Sequence, residues 1–293
     1  MRTCQYQKID AFTSGVSAGN PAACLYLKPG QALSENDMLA VAQQHKGFVS
    51  EVVYCEESLT ADLKLTYYSS ECEVDFCGHG TIACLYSLAK SDAHLAAKKE
   101  IKVETNRKGI LTVYNRLDEQ DAVFITSPQA EHIRTALTST DAAAALGLSP
   151  SGISDKYPIG IINAGLSTLI IPMARLQDTI HVFPDEAQLK SFCETQNIGI
   201  ILIFCLETAD AACHAHTRVF APRFGYLEDP ATGSGNSAFG YYMLKHGSWD
   251  SNAIRIEQGG ADRVFNTVHL TAPDHRVQFG GSATVRIRGE YYL

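Results

Sequence analysis

The segment FCGHGTIAC (76–84) places a thiol, a histidine and two glycines directly before an apolar run that is typical of a buried helix. The first backbone N–H groups of a helix have no partner inside it and carry the positive end of the helix dipole, and glycine lets a ligand approach them closely. A helix start of this composition can therefore bind a small anion, most simply a carboxylate. The thiol and the imidazole beside it are both candidates for the chemistry.

A second segment, TGSGNSA (232–238), matches CGHGTIA (77–83) in two glycines and one alanine at the same spacing, 155 positions further on. Each segment follows predicted strands and opens a predicted buried helix. Two such helix starts facing one cleft would hold a carboxylate from both sides. The alternative is that the glycines only permit tight turns from strand to helix. The residues alone leave both interpretations open.

The histidines of the segment CHAH (213–216) are a further candidate group. Alternation along a strand places His214 and His216 on one face, which is a spacing that metal sites use. No third ligand stands nearby in the sequence, so we expect no metal site.

The elements around these segments predict an α+β fold. Segments typical of strands dominate both halves of the chain, and each half has one largely apolar helix, starting near Gly80 and Gly235. An amphipathic helix in each half accompanies them, the first with Ser34 as its N-cap. Strands and helices do not alternate regularly, which argues against a doubly wound parallel sheet. A chain of 293 residues predicts two domains, with Pro128 as the first candidate boundary.

Composition excludes several functional classes. A net charge of −8 without a long basic run argues against nucleic acid and anionic membranes as partners. The residues are 45% hydrophobic and 19% charged, and no apolar stretch reaches the roughly 18 residues of a membrane span. Nine cysteines without C-x-x-C pairs, together with a first segment that lacks the apolar core of a signal peptide, predict reduced thiols in a cytoplasmic protein.

Six motifs occur in a fixed order between residue 9 and about residue 286: IDAFTSGVSAGNPAACLYL, SEVVY, CGHGTIA, FAPRFGYLEDPATGSGNSAFGYY, IEQGG and VQFGGSATV. Together they resemble the phenazine-biosynthesis PhzF-like family, which shares its fold with diaminopimelate epimerase and proline racemase. The resemblance implies two similar domains, each a mixed β-barrel wrapped around a central α-helix, with the active site between them. With the boundary at Pro128, we expect an N-terminal domain at 1–127 and a C-terminal domain at 128–281. In this fold family the last strand, here 282–293, can return to the first domain.

The resemblance also implies roles for single residues: catalysis by Glu51, His79 and Asp229, and substrate binding by Gly78, Gly233 and Ser234. Proton migration along a small unsaturated or hydroxy acid needs a group that takes a proton from carbon and returns it elsewhere, and a partly buried carboxylate such as Glu51 can do both. His79 and Asp229 would hold a hydroxyl or amine of the substrate and balance charge. The scheme needs no cofactor.

Each of these side chains also has a structural explanation: a solvated strand charge for Glu51, a turn or cap residue for His79, and a helix N-cap for Asp229. In the related epimerases, two cysteines form an acid–base pair, one at each helix start. Here Cys77 occupies the first position, but Thr232 occupies the second, and its hydroxyl cannot act as a thiolate-like base near neutral pH.

Three functions therefore stay open. They are a cofactor-independent isomerase of a small carboxylic acid that uses Glu51, a lyase or epimerase that uses Cys77, and a non-enzymatic binder of a small carboxylate. Members of the family are often dimers, so a homodimer is one expected state.

Overall fold

The computed structural model describes residues 2–293, and these divide into two compact units. Unit 1 comprises residues 2–125 and Gly280–Leu293, and unit 2 comprises Thr126–Phe279. The chain leaves unit 1 after Ile125 and returns to it at Gly280. Among the described residues, no helix is long and apolar enough to cross a membrane.

Strands dominate both units. Within residues 2–293 the strands are β1 Thr3–Ala11, β2 Asn20–Tyr26, β3 Glu51–Glu56, β4 Leu63–Ser69, β5 Glu73–Val74, β6 Glu100–Thr105, β7 Gly109–Arg116, β8 Ala122–Thr126, β9 Glu131–Ile133, β10 Gly160–Asn163, β11 Ser167–Pro172, β12 Ile200–Cys205, β13 Ala215–Phe220, β14 Glu228–Asp229, β15 Ile254–Gln258, β16 Asn266–Thr271, β17 Gln278–Gly281 and β18 Ala283–Tyr292. The α-helices are α1 Glu35–Gln44, α2 Gly78–Ser91, α3 Ala93–Ala96, α4 Leu117–Gln120, α5 Ser139–Leu146, α6 Leu176–Ile180, α7 Glu186–Thr195 and α8 Gly233–His246. Single 3₁₀ turns lie at Pro150–Gly152, Pro222–Phe224 and Pro273–His275.

Unit 1 is built around helix α2. Its strands pair in the order β18–β1–β2–β3–β4–β6–β7–β8. The pairs β2–β3 and β4–β6 are parallel, and the other neighbours in this order are antiparallel. Helix α2 packs against β1, β2, β3 and β18, and every residue from Gly80 to Tyr86 is buried. The helix is apolar nearly all the way round because strands cover it on several sides.

Unit 2 is built in the same way around helix α8. Its strands pair in the order β9–β10–β11–β12–β13–β15–β16, with β11–β12 and β13–β15 parallel and the others antiparallel. Helix α8 packs against β10, β11, β12 and β16, and its residues from Gly235 to Met243 are buried.

The repeat extends to the register of the strands. Strand β4 pairs with β5 through Tyr67 and Val74, and β13 pairs with β14 through Val219 and Asp229. Three residues after Val74 and Asp229, respectively, Cys77 and Thr232 are the N-caps of α2 and α8. The predicted α+β class, with two similar domains whose strands surround a central helix, is confirmed.

The two central helices begin at Gly78 and Gly233, two residues before the predicted starts. Cys77 and Thr232 have extended backbones, with φ of −127° and −123°, so each acts as the N-cap and the residue after it is already helical. Both glycines of each motif therefore lie inside the first helical turn.

Candidate active site

Glu51, Cys77 and His79 form a cluster in unit 1. Glu51 is the first residue of β3, Cys77 caps helix α2, and His79 lies in the first turn of that helix. His79 Nε2 lies 3.4 Å from Glu51 Oε2, and Cys77 Sγ lies 3.5 Å from His79 Nδ1 and 3.9 Å from its Nε2. One potential ligand atom from each of the three side chains lies within 4.8 Å of the other two, which is close enough for all three to contact one metal ion.

One oxygen of the Glu51 carboxylate is buried without a hydrogen bond. Among the described residues, no hydrogen-bond donor reaches Oε2, and its contact with His79 is in the range of an ion pair but lacks hydrogen-bond geometry. Buried polar atoms of this kind are rare in folded proteins and call for an explanation. The Glu51 and His79 side chains are 24% and 13% exposed, so a small molecule can still reach both. A solvated surface charge does not fit this burial.

The start of helix α2 is fixed by hydrogen bonds within unit 1. The Thr81 hydroxyl donates to the carbonyl of Cys77 at 2.7 Å and lies 2.8 Å from the Tyr67 hydroxyl, and the amide of Gly80 donates to Cys77 Sγ at 3.3 Å. A Cβ atom on Gly80 would lie 2.7 Å from Cγ2 of Val53 and 2.9 Å from Cys77 Sγ. Gly80 is therefore required by packing, whether or not a ligand approaches it.

Asp229 and Thr232 form the corresponding group in unit 2. The Thr232 hydroxyl donates to Asp229 Oδ2 at 2.5 Å. The Gln258 side-chain amide donates to the Asp229 carbonyl at 2.8 Å and to Thr232 Oγ1 at 3.2 Å, while its oxygen accepts from the Thr232 amide at 3.1 Å. All three residues are buried. The N-cap of α8 is Thr232, so the expectation that Asp229 could cap this helix is wrong: Asp229 lies in β14, three residues before the cap.

The first turn of helix α8 is fixed in the same way as that of helix α2, but by different residues. Asn236 takes the position of Thr81, and its side-chain amide donates to the carbonyl of Thr232 at 2.9 Å. A Cβ atom on Gly233 would lie 2.4 Å from ring carbons of Phe279, so packing also requires this glycine. Ser234 is half-buried, as is Gly78 in unit 1.

The predicted site residues therefore fall into two groups. Glu51, His79 and Gly78 lie in unit 1, with Glu51 and His79 in contact. Asp229, Gly233 and Ser234 lie within six residues of one another in unit 2. That the two groups face one cleft and bind one substrate stays a prediction.

Sequence reasoning missed the residues that fix Asp229. Gln258 and Asn236 are fully buried polar side chains, and they hydrogen-bond each other at 2.8 Å. A polar residue at the end of the strand IRIEQ, where Gln258 continues a buried stretch, was a sign of a buried hydrogen-bonding side chain. The sequence around Gln258 did not indicate which residues it contacts.

His214 and His216 have partners that account for them without a metal. His214 Nε2 lies 3.0 Å from the carbonyl of Ser248. His216 is fully buried, with Nδ1 2.8 Å from Glu257 Oε1 and Nε2 2.8 Å from the carbonyl of Gly259. Both histidines therefore serve hydrogen bonding, and the expectation that they share one strand is wrong, because β13 begins at Ala215, after His214.

Comparison with known proteins supplies the family. The family model described as Phenazine biosynthesis-like protein (PhzC-PhzF) matches residues 9–289. The chain belongs to this family. It is 31% identical over 263 residues to the "Uncharacterized isomerase YfhB" of Bacillus subtilis, covering 88% of this chain and 87% of that protein. The "Uncharacterized isomerase YddE" of Escherichia coli O157:H7 is 27% identical over 308 residues, covering 99% of this chain and 98% of the relative.

The same family appears among solved structures. The crystal structure of the Bacillus anthracis phenazine biosynthesis protein of the PhzF family is similar with a TM-score of 0.86 and 26% identity over the whole of both chains. These matches confirm the PhzF-like resemblance and the expectation that this protein is an isomerase. They do not name a substrate.

Proposed function

We propose that this PhzF-like protein is a cofactor-independent isomerase that moves a proton on a small unsaturated or hydroxy carboxylic acid, with Glu51 as general acid and base. One observation carries the proposal: Glu51 Oε2 is buried beside a helix start, without a hydrogen-bond donor and 3.4 Å from His79 Nε2. A carboxylate oxygen that accepts no hydrogen bond is not held by the protein, and because the side chain is partly exposed, a turn of the carboxylate can present this oxygen to a substrate.

In this scheme Glu51 removes a proton from one carbon of the bound acid and returns it to another carbon on the same face. The electron pair moves along the unsaturated system, so the double bond shifts and no redox partner is needed. His79, next to the reacting carboxylate, holds a hydroxyl or amine of the substrate and balances the charge that develops. Asp229 contributes a fixed negative charge, because the Thr232 hydroxyl already donates to it.

The first turns of α2 and α8 each offer groups that can bind a substrate carboxylate. The amides of Gly78 and Gly233 belong to first-turn residues, whose N–H groups have no partner within the helix. The half-buried hydroxyl of Ser234 adds a neutral donor beside Gly233. The proposed partner is the small acid alone, and neither nucleic acid nor a membrane is a partner. We also propose a cytoplasmic location, and a homodimer is compatible with the proposal.

A second candidate is a lyase or epimerase in which Cys77 is the base. The 3.5 Å contact between Cys77 Sγ and His79 Nδ1 favours it, since an imidazole can take the proton of a thiol. Against it stands Thr232 at the position where the related epimerases place their second thiol. Its hydroxyl donates a hydrogen bond to Asp229 and cannot act as a thiolate-like base near neutral pH.

Solvent deuterium exchange tests the proposal. The protein is incubated in deuterated water with a panel of small unsaturated and hydroxy acids, and mass spectrometry follows deuterium into substrate and product. We expect wild type to exchange at least one acid, and Glu51→Gln to lower that rate by about 10²–10⁴-fold, the usual cost of losing a general base.

Glu56→Gln is the matched control, because Glu56 lies at the other end of β3 and pairs with Lys64 at 2.9 Å. It should exchange like wild type. Wild-type exchange that survives Glu51→Gln would refute the role of Glu51. Binding of an acid without exchange in wild type would favour a non-enzymatic binder.

A further inference from the structure

The cluster of Glu51, Cys77 and His79 combines a carboxylate, a thiol and an imidazole. Among the described residues it is the one group of three acidic, histidine or cysteine side chains whose donor atoms lie within 4.8 Å of one another. The proposed isomerase needs only the carboxylate and the imidazole. The thiol gives the cluster a chemistry that proton transfer does not use.

One separation within the cluster matches that around a tetrahedral zinc ion, and a second comes close to it. Zinc binds sulfur at about 2.3 Å and nitrogen or oxygen at about 2.0–2.1 Å, so tetrahedral angles place neighbouring ligand atoms roughly 3.3–3.6 Å apart. His79 Nε2 lies 3.4 Å from Glu51 Oε2 and 3.9 Å from Cys77 Sγ. The thiol lies nearer to His79 Nδ1, at 3.5 Å, so it has to turn toward Nε2 before the three atoms can bind one ion.

We propose that Glu51 Oε2, Cys77 Sγ and His79 Nε2 form an inhibitory Zn²⁺ site. A thiolate and an imidazole select zinc over magnesium or calcium, which prefer oxygen ligands alone. Three protein ligands leave a fourth position, which water can occupy. Bound zinc takes up the carboxylate oxygen that has no hydrogen-bond donor, and it thereby removes the base from proton transfer.

Binding of zinc is linked to release of a proton. The metal binds the thiolate, so the S–H proton of Cys77 goes to solvent as the Zn–S bond forms, and nothing is oxidised or reduced. Zinc affinity should therefore rise with pH. The helix start assists, since the amide of Gly80 already donates to Cys77 Sγ at 3.3 Å and the positive end of the helix dipole favours negative charge there.

The test is metal binding by the full chain, which requires no knowledge of the substrate. Metal-stripped protein is titrated with Zn²⁺ against a chromophoric chelator and, in parallel, with Co²⁺, which reports a thiolate ligand through a charge-transfer absorption band. Wild type should bind zinc and show the cobalt–thiolate band. Cys77→Ser should lose the band and weaken zinc binding by at least about tenfold, because loss of a direct ligand costs more than the roughly 10–100-fold seen when a residue that only orients a ligand is removed.

Cys72→Ser is the matched control, since Cys72 is an exposed thiol of the same unit outside the cluster. It should bind both metals like wild type. His79→Gln provides a second test should Cys77→Ser fail to fold, and it should also lose affinity. A wild-type protein without the cobalt–thiolate band, or a Cys77→Ser protein that keeps the band and the affinity, overturns the site. Zinc binding that leaves deuterium exchange untouched refutes inhibition alone, and the proposed isomerase stands in either case.

Discussion

Glu51 and Asp229 are the two carboxylates assigned to the chemistry, and their surroundings differ. Asp229 accepts a hydrogen bond of 2.5 Å from the Thr232 hydroxyl, whereas Glu51 Oε2 has no donor among the described residues. A carboxylate that already accepts a strong hydrogen bond is oriented and less free to take up a proton. This difference is why we propose Glu51 as the base and Asp229 as the fixed charge.

Cys77 and Glu51 can be separated by one pair of variants. With Glu51 as the base, Cys77→Ser should keep most of the exchange activity, because serine can still cap helix α2 by accepting from the Gly80 amide. Glu51→Gln should lose about 10²–10⁴-fold. The exchange assay described above measures both on the same acid. The opposite pattern, with Cys77→Ser inactive and Glu51→Gln active, would make the thiol the base and favour the lyase or epimerase.

Thr232 has a positioning role that can be measured as stability. Thr232→Val keeps the shape of the side chain but removes the donor to the buried Asp229 carboxylate, which should cost about 1–3 kcal/mol. Thr232→Ser keeps the hydroxyl and should cost less. Urea unfolding, followed by the shift of the midpoint, compares the two. Equal midpoints for the valine and serine variants would show that the hydroxyl does not stabilise Asp229.

Whether a contact between two residues could be predicted depended on their separation in the chain. Asp229 and Thr232 are three residues apart, and their contact follows from a short turn between β14 and α8. Glu51 and His79 are far apart in sequence, and they meet because β3 lies beside the start of α2. Spacing carries no information about such a contact, so Glu51 was found only through the resemblance to the family.

At the scale of elements, a capping signal predicted helix α1 but did not reveal helix α5. Ser34 was predicted to cap α1, and it accepts from the amide of Asp37 in a full capping box. Helix α5 was not predicted, although Thr138 and Asp141 form the same motif. Its run of four alanines lacks the apolar residues spaced three and four positions apart, with polar residues between them, that mark an amphipathic helix.

Substitution of Gly233, at the start of α8, tests whether packing alone requires a glycine at this position. Gly233→Ala would place a Cβ atom 2.4 Å from the Phe279 ring, so we expect a loss of roughly 1–3 kcal/mol from overpacking. Gly152→Ala is the matched control in the same unit, where the nearest atom would be 3.9 Å away. Thermal melting of both variants measures the effect. An alanine at 233 that leaves the melting temperature unchanged would mean that Phe279 moves aside.

The pair of His216 and Glu257 joins strands β13 and β15 and should make unit 2 sensitive to acid. Burial alone would raise the pKa of Glu257, but hydrogen bonds from His216 and from the amides of Ala209 and Asp210 outweigh it and lower that pKa. A carboxyl group with a lowered pKa contributes stability above its ordinary pKa of about 4.3, and this contribution disappears as the pH falls through the folded-state value.

Glu257→Gln should therefore destabilise the protein at pH 7 by about 3–5 kcal/mol, the typical cost of removing one partner of a buried pair. The difference from wild type should shrink below pH 4. Urea midpoints across this pH range measure it. A constant difference at all pH values would assign the loss to packing and not to charge.

At the scale of the whole molecule, the two units share one arrangement of strands around a helix, but their candidate site residues differ. The strand registers make Val74 the counterpart of Asp229 and Ile200 the counterpart of Glu51. Each unit thus carries one carboxylate at a position where the other has an apolar residue. The match between the two glycine segments was enough to predict a repeated fold. It could not predict where the two carboxylates lie, because it compares only the helix starts.

The cysteines give a prediction for the complete chain. All nine are described as thiols; seven are buried, Cys72 is exposed and Cys213 is partly exposed. Burial raises the pKa of Cys193, Cys205 and Cys213 to about 11, which keeps these thiols protonated and slow to react near neutral pH. In the native protein, a thiol reagent at pH 7.5 should therefore label Cys72 first, as mapped by peptide mass spectrometry.

After denaturation the same reagent should find nine thiols, even when no reductant is used in purification. Buried thiols lack the access that disulfide formation needs, and in the cytoplasm, the location that we propose, the oxidant is absent as well. Cys72→Ser should remove the fast native reaction and lower the denatured count by one, which checks the assignment. Substantially fewer than nine thiols in the wild type would mean that disulfides form, and the expected cytoplasmic location would then lose its main support.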